Sequence, residues 1–324
     1  MDTRVEAAGV SAQIQAFGCM TTAEFRMGGR TARPLYAAPW HDYHGDPFLE
    51  HLRGDFLCVP FGIAPESLVQ FPEGWRELTP GQTQFAHGYS ANATWELVNT
   101  RGDAAEFQLR YPEGDAVEYA RRTVACAAGT LRFEDRFFMR KNAGLPLGLH
   151  PIFRLPEKPG GATLHLPRCA TLAAFPVHTD TSSILRPGAF FDDPARAPLE
   201  SGGSIDLTCL PLAENTEELA LLCNVHEPCV HLDNREEGYR VTLEWDADYL
   251  KHCMLWISNR GRTFAPWSGR NLCLGIEPVT SAFDLGAAVS AAANPLAARG
   301  VPTSVALEAG RTYTIRHSIS VAEI

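Results

Sequence analysis

A five-residue pattern occurs twice in the sequence, with a different ionisable residue at its fourth position each time. Residues 147–151 read LGLHP and residues 274–278 read LGIEP. Successive side chains of a strand point to opposite faces, so His150 and Glu277 each share a face with the glycine two residues earlier. A glycine at that position leaves the face open to something other than a side chain.

Each copy ends in a proline, and this predicts that a buried strand stops there. Proline removes a donor from the strand ladder and keeps the preceding residue extended. An imidazole and a carboxylate at two strand ends are suited to proton transfer near neutral pH, so His150 and Glu277 are candidate catalytic residues. The alternative, a turn residue whose hydrogen bonds are satisfied locally, stays open for both.

The composition restricts the class of protein. A formal net charge of −10 over 324 residues argues against nucleic acid or an anionic membrane as the main partner. No apolar run approaches transmembrane length, and the N-terminal residues lack the apolar core of a signal peptide. Nine cysteines without a Cys-x-x-Cys pair argue against disulfides or a zinc–thiolate site. We therefore expect a cytoplasmic protein.

Strand patterns dominate the chain. Residues 107–111, 239–245 and 313–321 alternate apolar and polar side chains, with His317 the one polar residue on its apolar face. Such segments run from near residue 10 to the C-terminus without a break in composition. The sequence therefore predicts one all-β domain, residues 1–324, folded as a large antiparallel β-sandwich.

Helical patterns are rare. The best candidate is the alanine-rich stretch from about residue 285 to residue 293, which Asn294 and Pro295 end. Residues 216–218 are a weaker candidate for a short helical turn.

A third candidate residue, His87, lies in the segment His87-Gly88-Tyr89 at a glycine turn. From these residues alone, a turn histidine with a local hydrogen bond is the simpler interpretation. Three segments follow one another in an order that resembles the galactose mutarotase (aldose 1-epimerase) family. They are His87-Gly88-Tyr89, then His150-Pro151-Ile152-Phe153, and then Gly275-Ile276-Glu277-Pro278. Residues 57–62 also resemble the stretch that usually lines the sugar pocket there. The resemblance spans roughly residues 50–320.

The resemblance implies a β-supersandwich and interconversion of the α and β anomers of an aldose. Glu277, as a carboxylate, would take the proton of the anomeric hydroxyl, and protonated His150 would give one to the ring oxygen. Rotation about C1–C2 and reclosure then produce the other anomer, and His87 binds or polarises the sugar oxygens. Ordinary pKa values of about 4.3 for glutamate and 6.5 for histidine suit these roles with little tuning.

The sequence departs from the family at two places. Ile63 occupies the position after the Pro-Phe-Gly-like stretch where mutarotases commonly have an arginine. The aspartate that binds sugar hydroxyls has no clear counterpart, and Asp233 and Asp248 are the two possibilities. Both departures concern the choice of sugar more than the chemistry.

The segment 256–270 is aromatic and rich in arginine, and it leads into the second copy of the pattern. Trp256 or Trp267 can stack on a pyranose face, and Arg262 or Arg270 can bind a hydroxyl, carboxylate or phosphate. The alternative is a solvated loop anchored by a buried tryptophan.

Three function classes follow. The leading one is a mutarotase-like epimerase of a small-molecule carbohydrate with no metal or organic cofactor, because hemiacetal opening needs only an acid and a base. The second is a sugar-binding or regulatory protein that keeps the pocket without turnover. The third is a metal-dependent β-sandwich lyase or isomerase that uses the His41 and His44 region, where His-x-x-His is followed by carboxylates.

Overall fold

The structure, a computed structural model, describes residues 2–40, 42–81 and 85–324. It is about 45% strand and 7% helix, and its large sheets are antiparallel. The predicted all-β class is confirmed. The dominance of strands follows from the two-residue alternation of apolar side chains, which suits half-buried sheets and not helices.

The strands of the first half are numbered in chain order: β1 (Thr3–Ala7), β2 (Val10–Ile14), β3 (Thr21–Met27), β4 (Arg30–Ala32), β5 (Leu57–Cys58), β6 (Glu96–Thr100), β7 (Ala104–Arg110), β8 (Val117–Ala127), β9 (Thr130–Met139), β10 (Ala143–Leu145), β11 (Leu147–Leu149) and β12 (Ile152–Arg154). Those of the second half are β13 (Ala162–His165), β14 (Thr171–Ala174), β15 (Phe190–Phe191), β16 (Ala197–Pro198), β17 (Ser204–Ile205), β18 (Cys209–Leu210), β19 (Thr216–Cys223), β20 (Cys229–Asn234), β21 (Tyr239–Trp245), β22 (His252–Asn259), β23 (Leu272–Thr280), β24 (Val305–Leu307) and β25 (Thr312–Glu323). The helices are α1 (Pro47–His51), α2 (Gly88–Asn92) and α3 (Gly286–Ala291), with 3-10 turns at Pro194–Arg196 and Ala297–Arg299.

The largest sheet has nine strands in the order β18-β13-β20-β21-β25-β9-β8-β7-β6. Its strands show the predicted alternation: along β21 every second residue from Tyr239 to Trp245 is buried, and the residues between them are partly or fully exposed. This pattern is typical of an antiparallel sheet with one face on the core and one in solvent. His317 of β25 lies on the core face.

The second large sheet has the order β15-β14-β19-β22-β23-β11-β5, with β12 also paired to β23. One of its faces packs on the nine-stranded sheet, where Leu222, Leu255 and Leu274 share a core cluster with Val124 and Ile319. Strands β19, β22 and β23 are nevertheless buried along their whole length. Their other face must therefore be covered as well.

Loops and α1 cover that other face. Trp40, Phe48 and Phe56 form a second apolar cluster there with Leu221 and Met254 of the sheet. The small sheet β1-β2-β3-β4 and the pairs β10–β24 and β16–β17 complete the described part of the fold. The loop-covered face is where a ligand can be enclosed between the sheet and the loops.

The prediction that a strand ends at Glu277 is wrong. β23 continues to Thr280, and its neighbour on one side changes from β12, which pairs at Gly275, to β11, which pairs at Val279. Pro278 lies between these two pairings on that side, and on the other side β23 stays paired with β22 through Pro278 opposite Cys253. The prediction holds for His150, which follows the last residue of β11.

The weaker helix prediction is also wrong. Residues 216–218 begin β19, which pairs with β22 from Thr216 opposite Asn259 to Leu222 opposite Cys253. Pairing along a whole buried strand outweighs the local preference of two glutamates for a helix. The alanine-rich helix is confirmed as α3. None of the helices in the described residues is long and apolar enough to cross a membrane.

Candidate active site

The two copies of the repeated pattern pair with each other. Gly148 lies opposite Val279 and Ile152 lies opposite Gly275, so the same antiparallel register places His150 opposite Glu277. Directly opposed residues of antiparallel strands point to the same face. The Nε2 atom of His150 and the Oε1 atom of Glu277 are 3.5 Å apart on the loop-covered face of the sheet.

The glycines of the pattern make room for side chains and not for a ligand, which corrects the sequence interpretation. A Cβ atom on Gly148 would come within 2.3 Å of the Phe61 ring. One on Gly275 would come within 2.4 Å of Glu277 Oε1 and 3.1 Å of the Trp256 Cβ. The glycines therefore let the carboxylate and the aromatic side chains around it pack closely against the strands.

His87 joins this pair from the N-terminus of α2. Its backbone has a positive φ of 58°, and its N–H donates to the Gly62 carbonyl at 2.8 Å. Gly88 lies against the backbone of Pro60, where a Cβ atom would be 2.5 Å from the carbonyl oxygen. This close approach places the His87 ring 4.7 Å from the His150 ring, edge to face.

Two tryptophans and an arginine form a wall of the same cavity. Trp256 of β22 lies opposite Gly275, and its ring meets Trp267 edge to face at 6.0 Å. Arg262 places its guanidinium 4.7 Å from the Trp267 ring centre and 3.2 Å from the buried carboxylate of Glu217. The Glu217 carboxylate also accepts from the Trp256 indole at 2.6 Å, and so holds the arginine and the indole together.

The cavity contains about 500 Å³ of empty space, part of which is open to solvent. Apolar side chains, among them Phe48, Leu52 and Met254, line it together with the polar residues already described. The side-chain oxygens of Glu277 are buried and have no hydrogen-bond partner among the described residues. A mostly apolar cleft with a few converging polar groups is typical of a small-molecule site.

Burial disfavours the charged forms of the central pair. Desolvation lowers the pKa of His150 to about 3. Desolvation, with a smaller contribution from the charge of Asp284, raises the pKa of Glu277 well above its usual value. Desolvation also lowers the pKa of His87, with His150 as the second cause. The ordinary pKa values assumed from the sequence therefore do not apply, because these side chains are buried.

Some predicted site residues lie elsewhere. Arg270 is exposed, donates to the Pro266 carbonyl at 3.3 Å and does not line the cavity, because the loop turns its side chain outward. Asp233 belongs to the nine-stranded sheet and accepts from Arg240 at 2.6 Å, and Asp248 lies in an exposed turn.

The proposed metal region lies partly outside the described residues. His41 lies outside the described residues, and exposed His44 contacts Glu50 at 3.2 Å. Among residues 2–40, 42–81 and 85–324, no three histidine, cysteine or acidic side chains are grouped to hold a metal ion.

Sequence reasoning missed two carboxylates. Asp284 lines the cavity near Ile63, whose N–H donates to the Asp284 carbonyl at 2.5 Å, and burial raises the pKa of Asp284 to about 6. Glu217 lies behind the tryptophan wall. Neither carboxylate belongs to a local sequence pattern. The one signal for Glu217 is that an acidic residue lies at the start of an apolar run, which is as compatible with a buried strand as with a helical turn.

Comparisons with known proteins identify the fold. No protein-family profile matches the chain, and no curated protein matches its sequence. The chain is similar to the solved structure of an aldose epimerase homologue from C. elegans, with 15% identity, a TM-score of 0.65 and 100% of each chain covered. It is also similar to a galactose mutarotase related enzyme from Lactobacillus acidophilus, with 14% identity, a TM-score of 0.64 and 100% and 98% covered.

A galactose mutarotase-like protein from Clostridium acetobutylicum gives a comparable match, with 16% identity, a TM-score of 0.64 and 99% and 95% covered. The resemblance stated from the sequence is thus supported along the whole chain. At these identities the likeness concerns the fold, and the chain has the galactose mutarotase-like supersandwich.

Proposed function

We propose that this protein is a mutarotase-like epimerase, which interconverts the α and β anomers of an aldose by opening and closing the hemiacetal ring. The observation that carries the proposal is the separation of 3.5 Å between His150 Nε2 and Glu277 Oε1 in the loop-covered cavity. Ring opening takes a proton from the anomeric hydroxyl and adds one to the ring oxygen. Both oxygens are bound to the same carbon, so adjacent groups that accept and donate are required.

The pair acts as a unit that holds one proton. Before a sugar binds, the proposal places that proton on Glu277, because burial disfavours both charged forms. Transfer of that proton to His150 produces the carboxylate and the imidazolium. Sugar hydroxyls that donate to the carboxylate stabilise this charged form on binding.

In the charged form Glu277 accepts the proton of the anomeric hydroxyl while His150 protonates the ring oxygen. The C1–O5 bond breaks and an open-chain aldehyde forms. After rotation about C1–C2, the same groups act in reverse and the ring closes to the other anomer. Each positioned acid or base typically contributes about 10²–10⁴ to the rate.

The remaining cavity residues are proposed to bind the sugar. Trp256 and Trp267 present apolar surface to a pyranose face. Arg262 and Asp284 are positioned to exchange hydrogen bonds with hydroxyls, and His87 contacts oxygens near the ring. Breaking and re-forming the C1–O5 bond needs only the two proton transfers that His150 and Glu277 supply, so no cofactor enters the proposal.

The test is anomer exchange measured by two-dimensional NMR on a panel of neutral aldoses, sugar phosphates and uronic acids. The proposal expects exchange above the buffer rate for at least one sugar, and loss of that excess in Glu277→Gln. Sugar binding without exchange in the wild-type protein would instead support the sugar-binding alternative. Exchange that Glu277→Gln leaves unchanged would place any activity at another site.

A further inference from the structure

A cluster of four ionisable side chains lies between the two large sheets, away from the cavity. The side chains of Asp55, Arg122 and His317 are completely buried, as is that of Asp135. The Asp55 carboxylate accepts from Arg122 and lies 3.0 Å from His317 Nε2, and Arg122 Nε is 3.6 Å from the Asp135 carboxylate. Arg122 and His317 both lie on the Phe133 ring.

None of the four side chains reaches solvent, so water does not stabilise the charges of this cluster. Removing two acids and two bases from water is costly, and a buried ion pair can often be replaced by apolar residues without loss of stability. Stability alone is therefore a weak reason for the cluster. Buried polar groups can also hold a segment of the chain in one conformation among several. The contacts of the segment that contains Asp55 indicate which part of the structure is held here.

Asp55 belongs to the segment that contacts His150. The His150 N–H donates to the Phe56 carbonyl at 3.0 Å, and the Ile152 N–H donates to the Gly54 carbonyl at 2.9 Å. The Phe56 ring stacks on the His150 imidazole with centres 4.6 Å apart and planes 19° apart. Phe56 therefore packs on the loop-covered side, against His150, while the neighbouring Asp55 faces the nine-stranded sheet, as alternating side chains require.

We propose that Asp55 is a positioning residue for His150: the bonds of its carboxylate to Arg122 and His317 fix the segment whose Phe56 carbonyl and ring orient the imidazole. The link runs from β8 and β25 across the sandwich to the catalytic pair. This proposal rests on the proposed function for its kinetic consequence. Its structural consequence, the orientation of His150, can be measured without any activity.

The test compares Asp55→Asn with Asp135→Asn. Both substitutions remove one charge from the same buried cluster and keep the size of the side chain, but only Asp55 belongs to the segment on His150. Both should lower Tm. At a temperature well below both transitions, Asp55→Asn should reduce kcat about tenfold with KM changed less than about twofold, because misorientation affects the transition state more than binding. Asp135→Asn should keep the wild-type kcat.

A second measurement does not depend on turnover. The imidazole ¹⁵N signals of His150, assigned by their loss in His150→Asn, should shift in Asp55→Asn and stay in place in Asp135→Asn. If the wild-type protein shows no anomer exchange, the proposed function fails and this measurement still decides the positioning role. Unchanged His150 signals in folded Asp55→Asn, or equal kcat losses in both variants, would overturn it.

His317→Asn serves if Asp55→Asn does not fold. Its shorter side chain breaks the 3.0 Å contact with the Asp55 carboxylate and leaves the Phe56 ring and carbonyl unchanged in sequence. Shifted His150 signals with a lower kcat support the proposal, and unchanged signals with the wild-type kcat overturn it.

Discussion

His150 and Glu277 occupy opposed positions of two antiparallel segments, 3.5 Å apart between Nε2 and Oε1. The strand pairing stops at Gly148 opposite Val279 and resumes at Ile152 opposite Gly275, so the two side chains are held by paired strands on either side of a short gap. A proton-transfer pair on strands is fixed more accurately than one on loops. The strongest predictions therefore concern this pair.

Replacing Glu277 by glutamine should reduce the anomer exchange rate by about 10² or more while sugar binding changes little, because the amide keeps the size but cannot accept the proton. Exchange NMR at saturating sugar measures the rate, and calorimetry measures binding. Glu218→Gln is the matched control, since Glu218 is buried on β19 but bonds to Thr216 and the Ile184 N–H outside the cavity. A loss in Glu218→Gln equal to that in Glu277→Gln would indicate a general effect on the fold.

The effects of His150→Asn and Glu277→Gln should not add. If the two groups act in one transition state, either single change removes most of the rate, and the double variant should be only slightly slower than the slower single variant. Turnover of all three variants at saturating sugar gives the comparison. Multiplicative losses would mean that the two residues act in separate steps.

The pH dependence of kcat/KM should be bell-shaped and wide. Activity requires one proton on the pair, so it falls at low pH when His150, whose pKa burial lowers to about 3, also takes a proton. It falls at high pH when the last proton leaves, and the raised pKa of Glu277 moves that limb upward. The measurement subtracts buffer-catalysed exchange at each pH. An acid limb near the ordinary histidine pKa of about 6.5 would contradict the buried neutral pair.

Arg262 and Arg270 form a matched pair within one loop. Arg262 lines the cavity and Arg270 is exposed outside it. Arg262→Ala should raise KM about tenfold or more, in line with the loss of a hydrogen bond from a charged group, whereas Arg270→Ala should stay near the wild-type KM. Initial rates across a range of sugar concentrations provide both values. An equal rise in KM for both variants would contradict the assignment of Arg262 to the cavity.

Gly148→Ala should destabilise the protein by about 1–3 kcal/mol, because its Cβ would meet the Phe61 ring at 2.3 Å in a packed interior. The displaced ring also packs 5.0 Å from His87, so sugar binding should weaken as well. Gly102→Ala is the control, since no atom lies within 4 Å of its added Cβ. Urea unfolding of both variants measures the difference, and equal stabilities would contradict the close packing at Gly148.

The local alternation of side chains was enough to predict much of the fold. In β21 and β25 one face is buried and the other faces solvent, so apolar and polar residues alternate along the sequence as the side chains alternate between the two faces. The same pattern failed for β19, because a strand buried on both faces has no alternation to read. The sequence of residues 216–218 is therefore compatible with a helical turn, and it is the pairing with β22 that makes these residues a strand.

The sequence by itself determined which residue types could carry proton transfer, since the repeated pattern singles out His150 and Glu277 from their neighbours alone. Only the tertiary structure decided their separation and protonation. Their register depends on β11 and β12 both pairing with β23, and the shifts of their pKa depend on loops, distant in sequence, that bury the two side chains. The roles of Asp284 and Glu217 likewise depend on the tertiary structure. Sequence spacing determines on which face of a strand a side chain lies, but not which distant elements cover that face.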